Sequence, residues 1–538
     1  MHMFCYQCQE TGENKGCLYL GACGKSDETA NLQDLLIHTL RGIAISALPS
    51  LDAGRAEREA ALCVARGLFA TVTNTNFDPE RIAGMILEAL AVRDALRKRN
   101  AEALRDPQPD AVTWHGETPD ELRRKSVGVD IRDTRDPDIR SLRELTTYGL
   151  KGIGAYLVHA AALGHADDEL LGHMLRSLAA TARLTDEVEL GELALGVGRL
   201  MVDAMALLDR ANAATYGEPG AVKVRLGVGE RPGILVTGHD LKDLEELLEQ
   251  TAGTDVDVYT HCEMWAAHAY PRLARYPHLV GNYGNAWWMQ DEEFESFNGP
   301  VLVTSNCIVP PRESYQGRLF TTGVAGYPGI AHIADAPAGQ PKDFSTLIAM
   351  ARTCPPPRSL EGGEIAAGFT HHYVGRHLDL VCDLVKRGKI TRFVVMAGCD
   401  GRDQRRDHYT DAALALPPDA VILTAGCAKF RYIKQVQGDI EGLPRVLDAG
   451  QCNDCYSLVR IALALQEALG AESINDLPIT LDIAWYDQKA VGIVLALAAL
   501  GVKGIHMGPT LPAYLLTPAG QRFAASHDIL GMASLEAG

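Results

Sequence analysis

Positive charge is scarce in this sequence. Its 51 lysines and arginines face 69 aspartates and glutamates, a formal net charge of −18. That balance argues against nucleic acid and anionic membranes as partners and suits small-molecule chemistry. Long apolar runs are missing, and none is long enough to span a bilayer. The N-terminus opens on cysteines rather than on a basic region and an apolar core. No secretory signal is therefore expected, and the expected location is the cytoplasm. Met1-His2 before Met3 reads as a remnant of cloning. Nucleotide signatures are absent: no strand pattern runs into a full G-x-G-x-x-G, and there is no phosphate-binding lysine loop. Aromatics are few, at 6%, while a hydrophobic content of 47% is ordinary for a globular chain with a large core. The length of 538 residues predicts about three domains of roughly 150 residues each.

Cysteine, by contrast, is plentiful. Thirteen cysteines without a signal segment do not suggest a disulfide framework; in a reducing compartment, clustered thiols point to metal or redox chemistry. The first cluster is Cys5, Cys8, Cys17 and Cys23, a C-x2-C-x8-C-x5-C pattern. Structural zinc takes four thiolates, usually as two close pairs, whereas iron–sulfur clusters accept more varied spacings. The uneven spacing favours iron–sulfur, with zinc as the alternative. Glycines at 12, 16, 21 and 24 let the backbone wrap a bulky inorganic core.

From Ala30 to about Arg210 the periodicity is helical. Leu32, Leu35, Leu36, Leu40 and Ile43 share one helix face, and similar stretches lie near 55–73, 80–98, 140–163, 167–182 and 188–210. Six helices in two bundles of three are expected, joined by a connector over 100–138. Cys63 falls on an apolar face and reads as core.

After Gly217 and Pro219 the pattern becomes α/β. Short β-branched runs end in turns that carry a possible ligand. Ile234–Val236 leads to His239, Val256–Thr260 to Glu263, and Val301–Thr304 to Cys307. The pattern recurs after a bridging stretch over 325–369: FVVMAGCDG brings Cys399, VILTAGCAK brings Cys427 and RVLDAGQCNDC brings Cys452. A last strand, Ile479–Ala484, runs into Asp487 and Lys489 and a long apolar helix to about Leu500. Cys354 reads as a surface or packing thiol, and Cys382 as core in a helical pattern over 372–386. In open parallel sheets, ligands sit beyond the carboxyl ends of the strands, so thiols delivered this way can converge. The boundaries expected are 1–218 for the cysteine cluster with the helices, 219–370 for the first α/β domain and 371–538 for the second.

The second set holds four soft thiolates, one imidazole and two carboxylates: Cys307, Cys399, Cys427, Cys452, His239, Glu263 and Asp487. A structural zinc needs fewer ligands, and a uniform iron–sulfur cube wants only thiolates. The mixture suits a larger iron cluster with one sulfur-rich side and one side rich in oxygen and nitrogen.

The whole chain resembles the hybrid-cluster (prismane) proteins, a family associated with hydroxylamine reduction. The resemblance rests on FCYQCQETG, TGHDLKD, YTHCEM, FNGPVLVTSNC, VMAGCDGR, VILTAGCAK, RVLDAGQCND and IAWYDQKAV. It implies an all-α N-terminal domain followed by two Rossmann-like domains with parallel sheets. It implies that Cys5, Cys8, Cys17 and Cys23 hold a 4Fe-4S cluster. It implies a 4Fe-2O-2S-type hybrid cluster on His239, Glu263, Cys307, Cys399, Cys427 and Cys452, with Cys399 carrying a persulfide when oxidised. The implied activity is reduction of hydroxylamine to ammonia and of nitric oxide to nitrous oxide, with electrons from a donor redox protein. Lys489 and His239 are the nearest candidates in sequence for proton delivery. Three positions depart from the family's pattern: Asp487 stands where glutamate is usual, Cys262 where glycine is common and Cys455 where serine is. An electron-transfer or nitric-oxide-sensing protein, and a carbon monoxide dehydrogenase-like enzyme that would need nickel, are the competing readings.

Overall fold

Six long helices form where the apolar spacing places them. They are α1 (Asp27–Asp52), α2 (Arg58–Ala70), α3 (Pro79–Arg99), α4 (Pro137–Ala162), α5 (Asp168–Thr181) and α6 (Glu187–Tyr216). The computed structural model describes residues 2–337 and 339–533; Met1, at the head of the expected cloning remnant, and the last residues of the expected 371–538 unit lie outside them. Side chains fix where the helices begin. Ser26 accepts from the Thr29 N–H at the start of α1, and Asp78, Asp136 and Asp186 cap α3, α4 and α6 in the same way. Leu32, Leu35, Leu36, Leu40 and Ile43 of α1 are all buried. The connector between α3 and α4 carries two short helices, Asp110–Thr113 and Pro119–Ser126, the second closed by a capping box between Thr118 and Glu121.

Two parallel six-stranded sheets follow. The first contains β1 (Gly233–Thr237), β2 (Asp257–Thr260), β3 (Leu279–Asn282), β4 (Val301–Val303), β5 (Leu319–Thr322) and β6 (Ala331–Ile333). Its spatial order is β3-β2-β1-β4-β5-β6. The second contains β7 (Arg392–Val395), β8 (Ala420–Thr424), β9 (Val446–Asp448), β10 (Ile479–Ala484), β11 (Ile505–Gly508) and β12 (Ile529–Leu530). Its order, β9-β8-β7-β10-β11-β12, repeats that of the first. Both are the doubly wound 3-2-1-4-5-6 arrangement, in which the strand order reverses between the first and fourth strands and opens a crevice at their carboxyl ends. Central strands β1, β2 and β8 are buried throughout, so they read as continuous apolar runs rather than alternating ones.

Local form differs from expectation in two places. The bridging stretch over 325–369 contains β6, a helix at Ser345–Ala351 and the strand Glu364–Ala367, which pairs antiparallel with Val222–Arg225. Runs of three or four residues are too brief for a period of two to stand out. The helical pattern over 372–386 is split at His377 into α7 (His371–Arg376) and a helix at Leu378–Lys386, which buries Cys382. Beyond the second sheet's fourth strand, α8 (Gln488–Ala499) packs against α4 and α6 of the helical region, where Gly149, Gly152 and Gly198 let it approach. At Gly198 of α6 a Cβ would lie 2.1 Å from the Leu495 carbonyl oxygen, so only glycine permits this approach.

Candidate metal centre

The two crevices face one another across a narrow gap. His239, Glu263 and Cys307, which follow β1, β2 and β4, line it from one side. Cys399, Cys427, Cys452 and Asp487, which follow β7, β8, β9 and β10, line it from the other. The turns that carry the cysteines need close backbone contact. A Cβ at Gly398 (φ +113°) would meet the Ala484 carbonyl oxygen at 2.0 Å, and one at Gly426 (φ +90°) the Gly398 oxygen at 2.3 Å. Small residues in these turns are therefore what lets the thiols of adjacent strands face one point.

The donors are prepared for a cation. His239 Nε2 lies 3.3 Å from Cys452 Sγ and 3.6 Å from Glu263 Oε2. The backbone N–H of His239 donates to Ser305 Oγ at 2.9 Å, and Nδ1 is 2.9 Å from the same oxygen. A histidine whose Nδ1 is occupied in this way presents Nε2 to a metal. Burial, with the nearby Lys489 ammonium, drops the His239 imidazole to about 3, which keeps it neutral. Burial works against the Glu263 carboxylate, but His239, Lys429 and the Cys452 N–H outweigh it and hold its pKa below the ordinary value. Glu263 Oε2 accepts from the Cys452 N–H at 2.7 Å, while Oε1 is buried without any partner. Burial pushes the Cys307, Cys399, Cys427 and Cys452 thiols well up, and Cys427 adds to this at Cys307 and Asp487 at Cys399. Four thiolates packed so closely away from water require a bound cation to be charged at all. All thirteen cysteines are free, so no disulfide competes. An orphaned carboxylate oxygen, a neutral imidazole and four crowded thiols form a donor set that fits a mixed iron–sulfur–oxygen cluster.

Asp487 behaves differently from the other six. Its Oδ1 accepts from the Lys489 N–H at 2.9 Å and so caps α8. Its Oδ2 accepts from Asn306 Nδ2 at 2.9 Å. Both oxygens are thus held by the protein. Lys489 Nζ donates to Asn306 Oδ1 at 3.1 Å. Burial opposes the Lys489 charge, yet Cys452, Asp487, Cys307 and Glu263 together raise its pKa and keep it an ammonium. Cys262 Sγ lies within 4.8 Å of Cys427 Sγ and of a Glu263 carboxylate oxygen, and Cys455 is buried just past Cys452.

Cys5, Cys8, Cys17 and Cys23 sit apart from this gap. Cys5 and Cys17 exchange backbone hydrogen bonds at 3.1 and 2.8 Å, which folds the loop back on itself. The N–H groups of Gly12 and Ala22 each point at Cys17 Sγ from 3.4 Å, as donors to a metal-bound thiolate would. Burial and then the proximity of Cys23, Cys5 and Cys17 push the Cys8 thiol well up.

Several side chains at the site were not singled out from sequence. Tyr486 lines the main gap and packs against Trp287 with ring centroids 4.7 Å apart. Its backbone oxygen accepts from the Gln9 N–H at 3.1 Å, so it lies between the two cysteine groups. Arg406, fully buried, donates to Cys399 O at 3.0 Å, Gln9 Oε1 at 2.8 Å and Trp485 O at 2.7 Å. Asn74 reaches the gap from the loop after α2 with φ +58°. It is 1% exposed, and neither atom of its amide has a partner. The only signal in sequence is a polar residue in a turn, which is ordinarily a turn residue and nothing more.

Comparison with known proteins gives one consistent picture. Hydroxylamine reductase from Nitratidesulfovibrio vulgaris is 55% identical over 523 residues, covering 95% of this chain and 94% of that protein. Hydroxylamine reductase from Chlorobaculum tepidum is 54% identical over 536 residues, covering 99% and 98%. Among solved structures, carbon monoxide dehydrogenase from Thermococcus sp. AM4 superposes with a TM-score of 0.54 at 17% identity, over 98% of this chain and 88% of that one. Carbon monoxide dehydrogenase IV from Carboxydothermus hydrogenoformans gives 0.53 at 16% identity, over 99% and 90%. At such identities the structural likeness concerns the fold. The sequence profile of the Prismane/CO dehydrogenase family matches residues 3–524, and the chain belongs to that family.

Proposed function

We propose that this chain is an iron–sulfur oxidoreductase that reduces hydroxylamine to ammonia, and nitric oxide to nitrous oxide at the same site. The observation that carries the reading is the convergence of four thiols, a neutral imidazole and a half-partnered carboxylate on one buried gap. The name hydroxylamine reductase, borne by relatives that match nearly the whole chain, supports it. The cofactors are a 4Fe-4S cluster and a hybrid iron–sulfur–oxygen cluster. His239, Glu263, Cys307, Cys399, Cys427 and Cys452 would hold the hybrid cluster, and Cys5, Cys8, Cys17 and Cys23 the 4Fe-4S cluster. When bound, the hybrid cluster supplies electrons and Lewis-acid iron for cleaving an N–O bond.

The residues around it have separate tasks. Hydroxylamine needs two electrons and two protons to give ammonia and water. Lys489 holds a proton at Nζ, aimed by Asn306 Oδ1. The unpartnered amide of Asn74 orients a small polar substrate by offering it one donor and one acceptor. Trp287 and Tyr486 wall the gap and exclude water, which strengthens every polar contact inside. The 4Fe-4S cluster held by Cys5, Cys8, Cys17 and Cys23 would accept electrons from a redox protein; the exposed Leu18, Tyr19 and Leu20 beside these cysteines would offer that donor an apolar contact, and Tyr486 stands between the two groups of cysteines. Among the described residues no helix is long and apolar enough to cross a membrane. We place the protein in the cytoplasm on the strength of its thirteen free thiols. The functional units are 1–218, 219–370 and 371–538.

The deciding experiment supplies hydroxylamine or nitric oxide to the iron-loaded protein with a reduced viologen dye. Ammonia from hydroxylamine, and nitrous oxide from nitric oxide, each formed in step with dye oxidation, are expected. Dye oxidation that yields neither ammonia from hydroxylamine nor nitrous oxide from nitric oxide would overturn the reading, and stoichiometric nickel would return the carbon monoxide dehydrogenase-like alternative.

A further inference from the structure

We propose that Asp209, His371 and His372 form a zinc site that ties the helical region to the second parallel sheet. The three side chains belong to α6 and to α7, and they bring one donor atom each to within 4.8 Å of one another. None lines the gap between the two crevices.

One histidine has its second ring nitrogen on a hydroxyl, and the other has a carboxylate close by. His371 Nδ1 lies 3.0 Å from Ser457 Oγ, on a helix running from Tyr456 to Leu469, while His371 Nε2 faces Asp209 Oδ2 at 3.7 Å. His372 Nδ1 lies 3.6 Å from the Glu218 carboxylate, and its Nε2 is buried with no hydrogen-bond partner. Metal-binding histidines are held this way, with one nitrogen on a hydroxyl or carboxylate and the other directed at the ion. The two rings lie 4.0 Å apart, centroid to centroid, and 37° from parallel.

The charges agree. Burial lowers the His371 imidazole to about 4 and His372 in the same direction, so both rings are neutral and hold a lone pair for a cation. Neither then serves Asp209 as a counter-charge. Burial lifts that carboxyl to about 6, and only Arg460 and Arg210 oppose the rise. Arg460 also weighs against a cation at both rings, and Arg376 at His372 is itself paired with Glu218 at 3.0 Å. Two neutral imidazoles and a carboxylate nevertheless form an ordinary three-ligand zinc set, with a fourth position for water. First-row affinities rank zinc above Fe(II) at such a site. The ion would fix α6 against α7 and, through Ser457, against the helix that continues from the Cys452 turn.

The test uses the iron-loaded holoprotein with chelator-buffered zinc chloride as the only added metal. One zinc per chain is expected. Its X-ray absorption should show a nitrogen and oxygen shell at about 2.0–2.1 Å with imidazole scattering. Asp209→Asn and His372→Ala should each weaken zinc at least tenfold, and Ser457→Ala by about tenfold, with iron content unchanged. Zinc should raise the thermal midpoint of the unaltered protein and not that of Asp209→Asn. Three results would overturn the proposal. They are a sulfur shell at about 2.3 Å, which puts the zinc on cysteines; equal zinc affinity in Asp209→Asn; and less than one zinc in ten chains at saturation. If His372→Ala also loses iron, its fold is damaged, and the Asp209→Asn and Ser457→Ala results decide.

Discussion

Asp487→Glu restores the residue usual in the hybrid-cluster pattern, and the structure sets its cost and its gain. The aspartate caps α8 through the Lys489 N–H and holds Asn306 Nδ2, both at 2.9 Å. Glutamate is longer by one carbon–carbon bond, about 1.5 Å. Its carboxylate overshoots the Lys489 N–H and points into the gap that Asp487 lines. Loss of the cap costs about 1 kcal/mol. Loss of the hydrogen bond to Asn306 costs about 1 kcal/mol more. The sum, about 2 kcal/mol, corresponds to a drop of roughly 4–8 °C in the unfolding midpoint for a unit of 150–250 residues. The metal-free variant should show that drop. The iron-loaded variant should show the reverse sign in a different measurement: more iron per chain and slower loss of iron to a chelator, because a carboxylate now reaches an iron that Asp487 leaves less firmly held. Iron analysis, an iron anomalous map and thermal melts of both forms check this. An unaltered protein with full iron occupancy and Asp487 at bonding distance, together with identical iron retention in the glutamate variant, would refute the reasoning.

Four other outcomes follow from the site and its surroundings. Cys8→Ser should remove one iron–sulfur spectroscopic signal and leave the other, since Cys8 lies outside the main gap; loss of both signals from a folded protein would show that the two centres are not independent. Cys399→Ala should abolish hydroxylamine turnover while much of the iron remains, and turnover at the original rate would remove this sulfur from the mechanism. Lys429→Met should destabilise the protein by about 3–5 kcal/mol in denaturant melts, because it strands the buried Asp448 carboxylate with only Trp265 Nε1 and the Gly450 N–H. His268 is buried against Thr260 Oγ1 at 3.0 Å, and burial lowers its pKa to about 4. Its folded pKa is below the unfolded value, so the unfolded chain takes up the proton first. The stability it contributes is complete above about pH 6.5 and is lost as pH falls towards 4. His268→Asn should flatten that part of the pH–stability profile, and an unchanged slope would count against a buried neutral imidazole.

Wherever the pattern is long or repeated, the residues alone mark which segments are helix and which are strand. The α1 face from Leu32 to Ile43 and the run Val421–Leu423 before Cys427 are legible because periodicity and β-branching are local properties. The order of strand, small-residue turn and donor is equally local, and it identified His239, Glu263, Cys307, Cys399, Cys427 and Cys452 as equivalent positions. What no local pattern carries is the pairing of the two sheets. That two 3-2-1-4-5-6 sheets face each other across one gap emerges from the packing of the whole chain. That packing also decides that Tyr486, at the end of β10, lies beside Gln9 and Cys8, and that Asn74, from a turn after α2, enters the same space with its amide unpartnered. The split at His377 and the short strands over 325–369 are set by packing, since runs this short have too little periodicity of their own. Asp487 shows the same division. Its carboxylate at a strand's end marks it as a ligand candidate, but the distances from its oxygens to the Lys489 N–H and Asn306 Nδ2 depend on how α8 and the Cys307 loop are brought together, and that is a property of the folded chain alone.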